Sequence, residues 1–179
     1  MNFRTSLVLI LILVLVGGYV GLYELRKAPP REDEPPWIYN VNMQDITRIA
    51  VTHQGATQRF VHKEDGWHFD DEQVTPVDRN RWGGIILILM GPQSQRLLSD
   101  TIDDPDKYGL AFPSTEVYLE LLERRSVEIN LGDKTPDGES YYAQIKGYPQ
   151  LFLIHSSWGQ VLNRLVTEPP YPQESPDGS

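Results

Sequence analysis

An apolar run near the amino terminus, Ser6 to Tyr23, constrains this chain more than any other stretch of its sequence. Its eighteen residues, SLVLILILVLVGGYVGLY, carry no charge. At about 1.5 Å of rise per residue, a helix of this length reaches about 27 Å, close to the hydrocarbon thickness of a bilayer. Arg26 and Lys27 then close the run with positive charge. The pattern predicts a membrane-spanning helix, and we expect residues 1–27 to form a membrane anchor.

A cleaved signal peptide is the alternative interpretation of this run. Such peptides have an apolar core of about 7–15 residues and a small-residue cleavage site. Here the core is longer and the apolar run resumes after Gly17 and Gly18, which favours an uncleaved anchor. Tyr19 and Tyr23 suit the aromatic belt at a membrane interface. Gly17 and Gly21 have the small-xxx-small spacing of paired membrane helices, although glycine is also common in membrane helices generally. They predict pairing with a membrane-protein partner or with a second copy.

The charges that flank the run leave its orientation open. Arg4 precedes it, whereas Arg26, Lys27 and Arg31 follow it among several acidic residues. By the count of positive charges alone, the domain that follows would be cytoplasmic. A short amino-terminal tail before an anchor usually leaves the large domain outside in bacterial proteins. We therefore expect a single-pass protein of the cell membrane whose carboxy-terminal domain is periplasmic or extracellular.

Charge and cysteine content narrow the function classes. Residues 24–179 carry 15 basic and 25 acidic side chains, a net charge of −10. That balance repels nucleic acid at long range, and no basic stripe offsets it, so we expect no nucleic-acid partner. The chain has no cysteine, which excludes disulfides and cysteine-ligated metal centres. The length after the apolar run suits one domain of ordinary size.

Proline-rich segments mark both borders of the predicted domain. Residues 28–39 begin with APPREDEPP and predict a solvated, semi-rigid linker. Residues 167–179 include EPPYPQESPDGS and predict a disordered tail. The domain between them should span residues 40–166.

Alternating apolar residues and turn residues predict an α+β domain in this span. The first antiparallel meander should contain the strands 46–52, 58–63 and 67–69, and the second the strands 116–121, 127–131, 141–145 and 151–154. A packing helix capped by Asp78 should run to about Met90, with a buried strand over 85–90 as its rival. A second helix, capped by Ser156 or Ser157, should follow the last strand. The predicted order after the transmembrane helix is β-β-β-α-β-β-β-β-α, with residues 94–98 as a further candidate strand.

The sequence offers little catalytic chemistry. His62 and His68 flank one hairpin, with Glu64, Asp65 and Asp70 nearby, but a zinc site needs three or four ligands. Exposed histidines without a metal are the favoured interpretation. The acidic segment 100–106 does not fit a calcium loop, and no phosphate loop or G-x-S-x-G elbow occurs. We therefore assign no catalytic, cofactor-binding or metal-binding residue and expect a non-enzymatic protein.

A strongly apolar segment, Trp82 to Met90, is the candidate interaction surface. Helical spacing places Trp82 on the face predicted to pack against the sheet. Leu87 and Ile88 fall outside that face, and exposed apolar patches often mark partner surfaces. Trp82, Leu87 and Ile88 are therefore the candidate partner face. The alternative, which the pattern slightly favours, is that the domain's own strands cover both faces.

A motif in the middle of the chain, DKYGLAFP at 106–113, resembles a bacterial family of membrane-anchored domains of unknown function. The resemblance covers about residues 40–166 and includes the following further positions: Gly66-Trp67, Pro76, Gln95-Arg96, Leu131-Gly132, Thr135-Pro136 and Tyr141-Tyr142-Ala143. It implies an amino-terminal anchor and an α+β domain, which some members repeat and which is present here as one short copy. Such proteins are often encoded beside auxiliary components of ABC-type export or gliding machinery. The motif carries no catalytic residues that can be transferred.

These features predict a single-pass, membrane-anchored binding or scaffold protein that serves as an accessory subunit of a membrane complex such as an ABC-type export system. A metal-dependent or hydrolytic enzyme that uses the His62/His68 region is the first alternative. A sensor of an extracytoplasmic ligand is the second, although the sequence alone indicates no pocket.

Overall fold

The computed structural model describes residues 38–92 and 94–172, together with Leu13, Val16, Gly18 and Tyr19. The chain divides into two units, residues 1–34 and 35–179. Most of the predicted anchor, including Gly17, Gly21 and Tyr23, lies outside the described residues, while the four described there are helical. Within the described part of the chain, no helix has the length and apolar character needed to cross a membrane.

The described residues of the second unit form eight strands and three α-helices. In chain order these are β1 Ile46–His53, β2 Ala56–Lys63, β3 Gly66–Phe69, α1 Arg79–Trp82, α2 Ile85–Leu89, β4 Arg96–Ser99, β5 Thr115–Leu121, β6 Ser126–Lys134, β7 Ser140–Ile145, β8 Leu151–His155 and α3 Ser156–Thr167. Short 3₁₀ turns occur at Met43–Asp45, Pro105–Tyr108 and Leu122–Arg124. The predicted α+β class is confirmed.

The strands form one sheet rather than two separate meanders. Its order is β3-β2-β1-β5-β6-β7-β8-β4, with antiparallel pairing between all neighbours. The pairing of β1 with β5 joins the two predicted meanders. It connects segments about sixty residues apart, so the alternation within each strand does not specify it.

One face of the sheet forms the core. The register places the buried side chains of Phe69, Phe60, Ile49 and Leu119 beside one another across four strands. Helix α3 packs across β1, β2, β7 and β8, and α2 packs beside α3. Because side chains alternate between the faces of a strand, the other face carries polar residues. There Arg48 lies 3.8 Å from Glu120 in an exposed ion pair.

The helix predicted from Asp78 to about Met90 is wrong as one continuous element, and the rival strand over 85–90 is wrong as well. Asp78 does cap α1, since its carboxylate accepts hydrogen bonds from the backbone of Asn80 and Arg81. The helix then breaks because Gly84 adopts a left-handed conformation with φ of 84°. Chain direction changes there, and α2 begins as a separate helix.

The cap of the last helix also differs from the expectation. Neither Ser156 nor Ser157 caps α3. The Nδ1 atom of His155 accepts a hydrogen bond from the backbone N–H of Ser157 at 3.2 Å. Strand β8 therefore leads into the helix without an intervening loop residue, and the imidazole performs the role that the sequence suggested for a hydroxyl.

The domain extends beyond the predicted borders at both ends. Ile38 and Tyr39, which the sequence assigned to the linker, are buried, and the Tyr39 hydroxyl donates to the Leu89 carbonyl at 2.9 Å. Burial raises the pKa of that hydroxyl above its ordinary value. In the predicted disordered tail, Tyr171 stacks on Phe69 with 4.1 Å between the ring centres. Residues 173–179 lie outside the described residues.

Candidate functional site

An apolar groove of about 370 Å³ lies between the β3 edge of the sheet and the α1–α2 junction. We call it the tryptophan groove and define it by the following side chains: Met43, Trp67, Val77, Trp82, Ile86 and Leu87. Asp65, His68 and Arg79 supply polar groups to its lining. Its apolar wall with few polar groups is typical of sites that bind partners or ligands.

Backbone pairing builds one wall of the groove from the edge of the sheet. The segment after β3 turns back along that strand, so the Phe69 N–H donates to the Thr75 carbonyl at 2.7 Å and the Val77 N–H to the Trp67 carbonyl at 3.1 Å. An isolated bridge between His68 and Pro76 continues the same pairing. The edge of β3 is therefore already occupied, and side chains rather than free backbone groups are presented to the groove.

Aromatic rings support the floor of the groove. The Trp82 ring lies 4.7 Å from the Phe60 ring and 5.5 Å from the Trp67 ring, measured between centres. The Trp67 ring in turn lies 5.0 Å from the His62 ring. Tilted contacts of this kind fix ring positions and stabilise a site beyond the area they bury. The groove is therefore held open by a packed aromatic wall.

The two buried tryptophans of the helical layer differ in the hydrogen bonding of their indole N–H groups. Trp158 donates its Nε1–H to the Ile88 carbonyl at 2.9 Å. The Nε1–H of Trp82 is buried and has no hydrogen-bond acceptor among the described residues. A buried donor without an acceptor destabilises a fold by about 1–3 kcal/mol.

The structure separates the three residues of the candidate partner face. Leu87 is 64% exposed on the groove rim. Trp82 is only 7% exposed but lines the groove. Ile88 is half-buried and packs against the core, and it does not line the groove. Leu87 and Trp82 are thus brought together, and Ile88 is not.

Met43 completes the groove and was missed by the sequence reasoning. It lies in a 3₁₀ turn before β1 and is 43% exposed. Trp67 and Val77 were also missed as groove residues, although Trp67 was recognised as a strand residue. Exposed apolar side chains in a turn are a usable signal, but their convergence depends on contacts between segments far apart in the chain.

The two histidines of the alternative enzyme hypothesis point away from each other. His62 pairs with Trp67 and Val61 pairs with His68, so the two imidazoles lie on opposite faces of the hairpin. His68 is buried, and its ring contacts the Gly66 carbonyl at 3.1 Å. Its other nitrogen lies 3.4 Å from an Asp65 carboxylate oxygen. Across residues 38–92 and 94–172, no three His, Asp or Glu side chains are grouped as metal ligands would be.

Comparison with known proteins places this domain in a family. Residues 67–168, more than half of the 179-residue chain, match the family described as Domain of unknown function (DUF4340). Neither the curated proteins nor the solved structures searched contain a significant match. The matched range begins at Trp67 and includes Trp82 and Leu87, whereas Met43 precedes it. This match confirms the resemblance to a family of domains of unknown function, and the chain belongs to the DUF4340 family.

Proposed function

We propose that this protein is a membrane-anchored, non-enzymatic binding protein that docks a partner protein in the tryptophan groove. The single observation that carries the proposal is the apolar groove itself, whose rim exposes Leu87 and whose wall includes the ring of Trp82. An apolar side chain of the partner would fill such a groove and pack against Leu87.

The apolar run from Ser6 to Tyr23 supports the membrane part of the proposal, because its length and composition suit a bilayer span. The partner would then be another protein at the same membrane, and the domain would be held on the periplasmic or extracellular side. An accessory role beside an ABC-type export system agrees with the genomic association of the family that the sequence resembles.

Site-specific photo-crosslinking in native membranes tests the docking surface. A photoreactive amino acid replaces Leu87 in one variant and Tyr118 in the control. Tyr118 is 39% exposed and pairs with Ala50, which places it on the polar face of the sheet. We expect a defined membrane-protein adduct from position 87 and none from position 118. The same adduct from both positions, or none from either, would refute docking in the groove.

A charge substitution at the rim provides the quantitative test. Because Leu87 is mostly exposed, Leu87→Asp should change the free energy of unfolding by less than about 0.5 kcal/mol. It should nevertheless weaken partner binding by about thirtyfold, since the loss of a residue that anchors an interface typically costs about 2 kcal/mol in affinity. Unchanged binding by the folded variant would contradict the proposal.

Membrane fractionation tests the anchor separately. The full chain should stay in the membrane pellet after alkaline extraction, because an integral span is not released by charge neutralisation. Release into the supernatant would show that the chain is bound only peripherally, and the anchored form of the proposal would then fail. The docking test does not depend on this result.

A further inference from the structure

A second and larger cavity lies at the β4 end of the sheet. It has a volume of about 530 Å³, within the range of about 300–1,000 Å³ that is usual for small-molecule sites. We call it the tyrosine groove and define its apolar wall by these residues: Ile38, Tyr39, Leu97, Val127, Ile145 and Phe152. It shares no lining residue with the tryptophan groove. The proposed function does not use it.

The rim of the tyrosine groove carries one cation, and that cation is already paired. Lys146 Nζ lies 2.5 Å from a Glu128 carboxylate oxygen, and the Lys146 backbone N–H donates to the Glu128 carbonyl at 2.9 Å. The hydrogen bond to Glu128 raises the pKa of Lys146, so the ammonium stays charged and stays engaged. Lys146 is therefore poorly placed to attract an anionic ligand.

The remaining charge at the groove is negative. Asp100 lines the cavity, is exposed, and makes no ion pair with any of the residues that the structure describes. With Lys146 and Glu128 neutralising each other, the groove has a net charge of −1. The field of the domain has the same sign, since residues 38–172 contain 12 basic and 19 acidic side chains. Both charges favour a cationic ligand.

Tyr148 presents an aromatic surface at the same rim. Its side chain is 60% exposed, yet its backbone is fixed on both sides. The Tyr148 N–H donates to the Ile145 carbonyl at 3.0 Å, and the Gln144 side-chain amide donates to the Tyr148 carbonyl at 2.8 Å. An exposed aromatic ring on a fixed backbone, in a groove with an unpaired carboxylate, suits a cation that carries an apolar group.

We propose that the tyrosine groove binds a small apolar molecule that carries one primary ammonium group. The apolar part packs between Leu97, Ile145 and Phe152, and the ammonium group is held at the rim by Asp100 and the Tyr148 ring. Apolar burial supplies most of the affinity, and the carboxylate supplies the selection for positive charge. This gives the domain a ligand site that is independent of the protein-docking surface.

A matched series of three probes tests the charge selection. Phenethylamine, phenethyl alcohol and hydrocinnamate share a phenyl ring on a short chain and differ in the charge at its end. Each is titrated by NMR against the full chain in neutral phosphatidylcholine nanodiscs, with empty nanodiscs as the blank. We expect phenethylamine to bind at least about threefold more tightly than the alcohol, as for a partly exposed ion pair, and hydrocinnamate to bind most weakly. Equal or tighter binding of hydrocinnamate would overturn the proposal.

Substitutions test whether the preference for the ammonium probe arises in the tyrosine groove. Asp100→Asn should reduce phenethylamine affinity to that of the alcohol, whereas Asp103→Asn, the same charge change at another exposed position of the loop, should leave it unchanged. Ile145→Trp should weaken binding of all three probes because the larger side chain occupies part of the cavity, and circular dichroism checks that this variant folds. Persistence of the preference in Asp100→Asn, or an equal loss in Asp103→Asn, would refute the assignment. Leu87→Asp should leave phenethylamine binding intact, which separates this test from the docking proposal.

Discussion

The two buried tryptophans provide a direct test of the unsatisfied indole. Trp82 is 7% exposed and Trp158 is 8% exposed, so replacement by phenylalanine removes a similar buried volume at each site. Only Trp158 has an acceptor, the Ile88 carbonyl at 2.9 Å. The two substitutions therefore share the cost of lost packing, but only Trp158→Phe also removes a hydrogen bond.

The expected difference in the free energy of unfolding follows from the hydrogen bonding of the two indoles. Trp82→Phe removes a buried donor that has no acceptor and so recovers part of a penalty of about 1–3 kcal/mol. Trp158→Phe loses a satisfied hydrogen bond, worth about 0.5–1.5 kcal/mol net, and leaves the Ile88 carbonyl without its indole donor. The packing loss should be similar for both. We expect Trp158→Phe to lower the free energy of unfolding by about 2–4 kcal/mol more than Trp82→Phe.

Urea unfolding of the full chain, followed by far-ultraviolet circular dichroism, measures this difference. The comparison is valid if both variants unfold with the same dependence on urea, because a change in that slope would indicate a change in the unfolded or native ensemble. Equal losses of stability within about 0.5 kcal/mol, or the reverse order, would show that the Trp82 indole N–H is hydrogen-bonded in solution.

Two further predictions concern the scaffold. Gly132→Ala should destabilise the fold by at least about 2 kcal/mol in urea unfolding, because the added Cβ would lie 1.9 Å from the Tyr108 carbonyl oxygen. Gly83→Ala is the mild control, since its Cβ would lie no closer than 3.6 Å to any neighbouring atom. Burial raises the pKa of the Tyr39 hydroxyl, so above the unfolded-state pKa of about 10 this hydroxyl ionises in the unfolded chain but not in the folded one. Its contribution to stability is therefore complete below about pH 10 and declines at higher pH. Urea midpoints measured from about pH 9 to pH 11 should therefore fall less steeply in Tyr39→Phe, and an unchanged slope would contradict the role of burial.

The strands were predictable because alternation is a local property. The predicted 46–52 and 151–154 correspond to β1 Ile46–His53 and β8 Leu151–His155. The alternation is clearest in β5, where buried and more exposed side chains follow one another, whereas β8 was identified as a short, continuously apolar run between turn residues. The pairing of β1 with β5 cannot be predicted from the pattern within either strand, because it depends on contacts between segments far apart in the chain.

The helical layer was harder to predict, since its breaks depend on single residues. The left-handed conformation of Gly84 ends one helix and starts another, whereas the sequence predicted a single helix from Asp78 to about Met90. Likewise, the His155 side chain caps α3 because β8 leads directly into the helix. A strand that continues into a helix leaves no loop, so the usual hydroxyl cap has no position to occupy.

The candidate site was predicted in part for the same reason. Leu87 was identified because it lies outside the helix face predicted to pack on the sheet, and Trp82 because it begins the same apolar segment. Both line the tryptophan groove. Ile88 was grouped with them because helical spacing was applied across the break at Gly84. With the chain direction changed there, Ile88 packs against the core instead.

Both grooves depend on the residues that enter the domain before β1, of which the sequence analysis assigned Tyr39 to the linker and Met43 to the domain. Tyr39 lines the tyrosine groove and also holds the end of α2 through its hydrogen bond to Leu89. Met43, four residues later, lines the tryptophan groove. A substitution at Tyr39 therefore alters the support of both sites at once and cannot distinguish their roles. Leu87 and Asp100 each line a single groove, so substitutions at those two positions can assign partner docking to one groove and ammonium binding to the other.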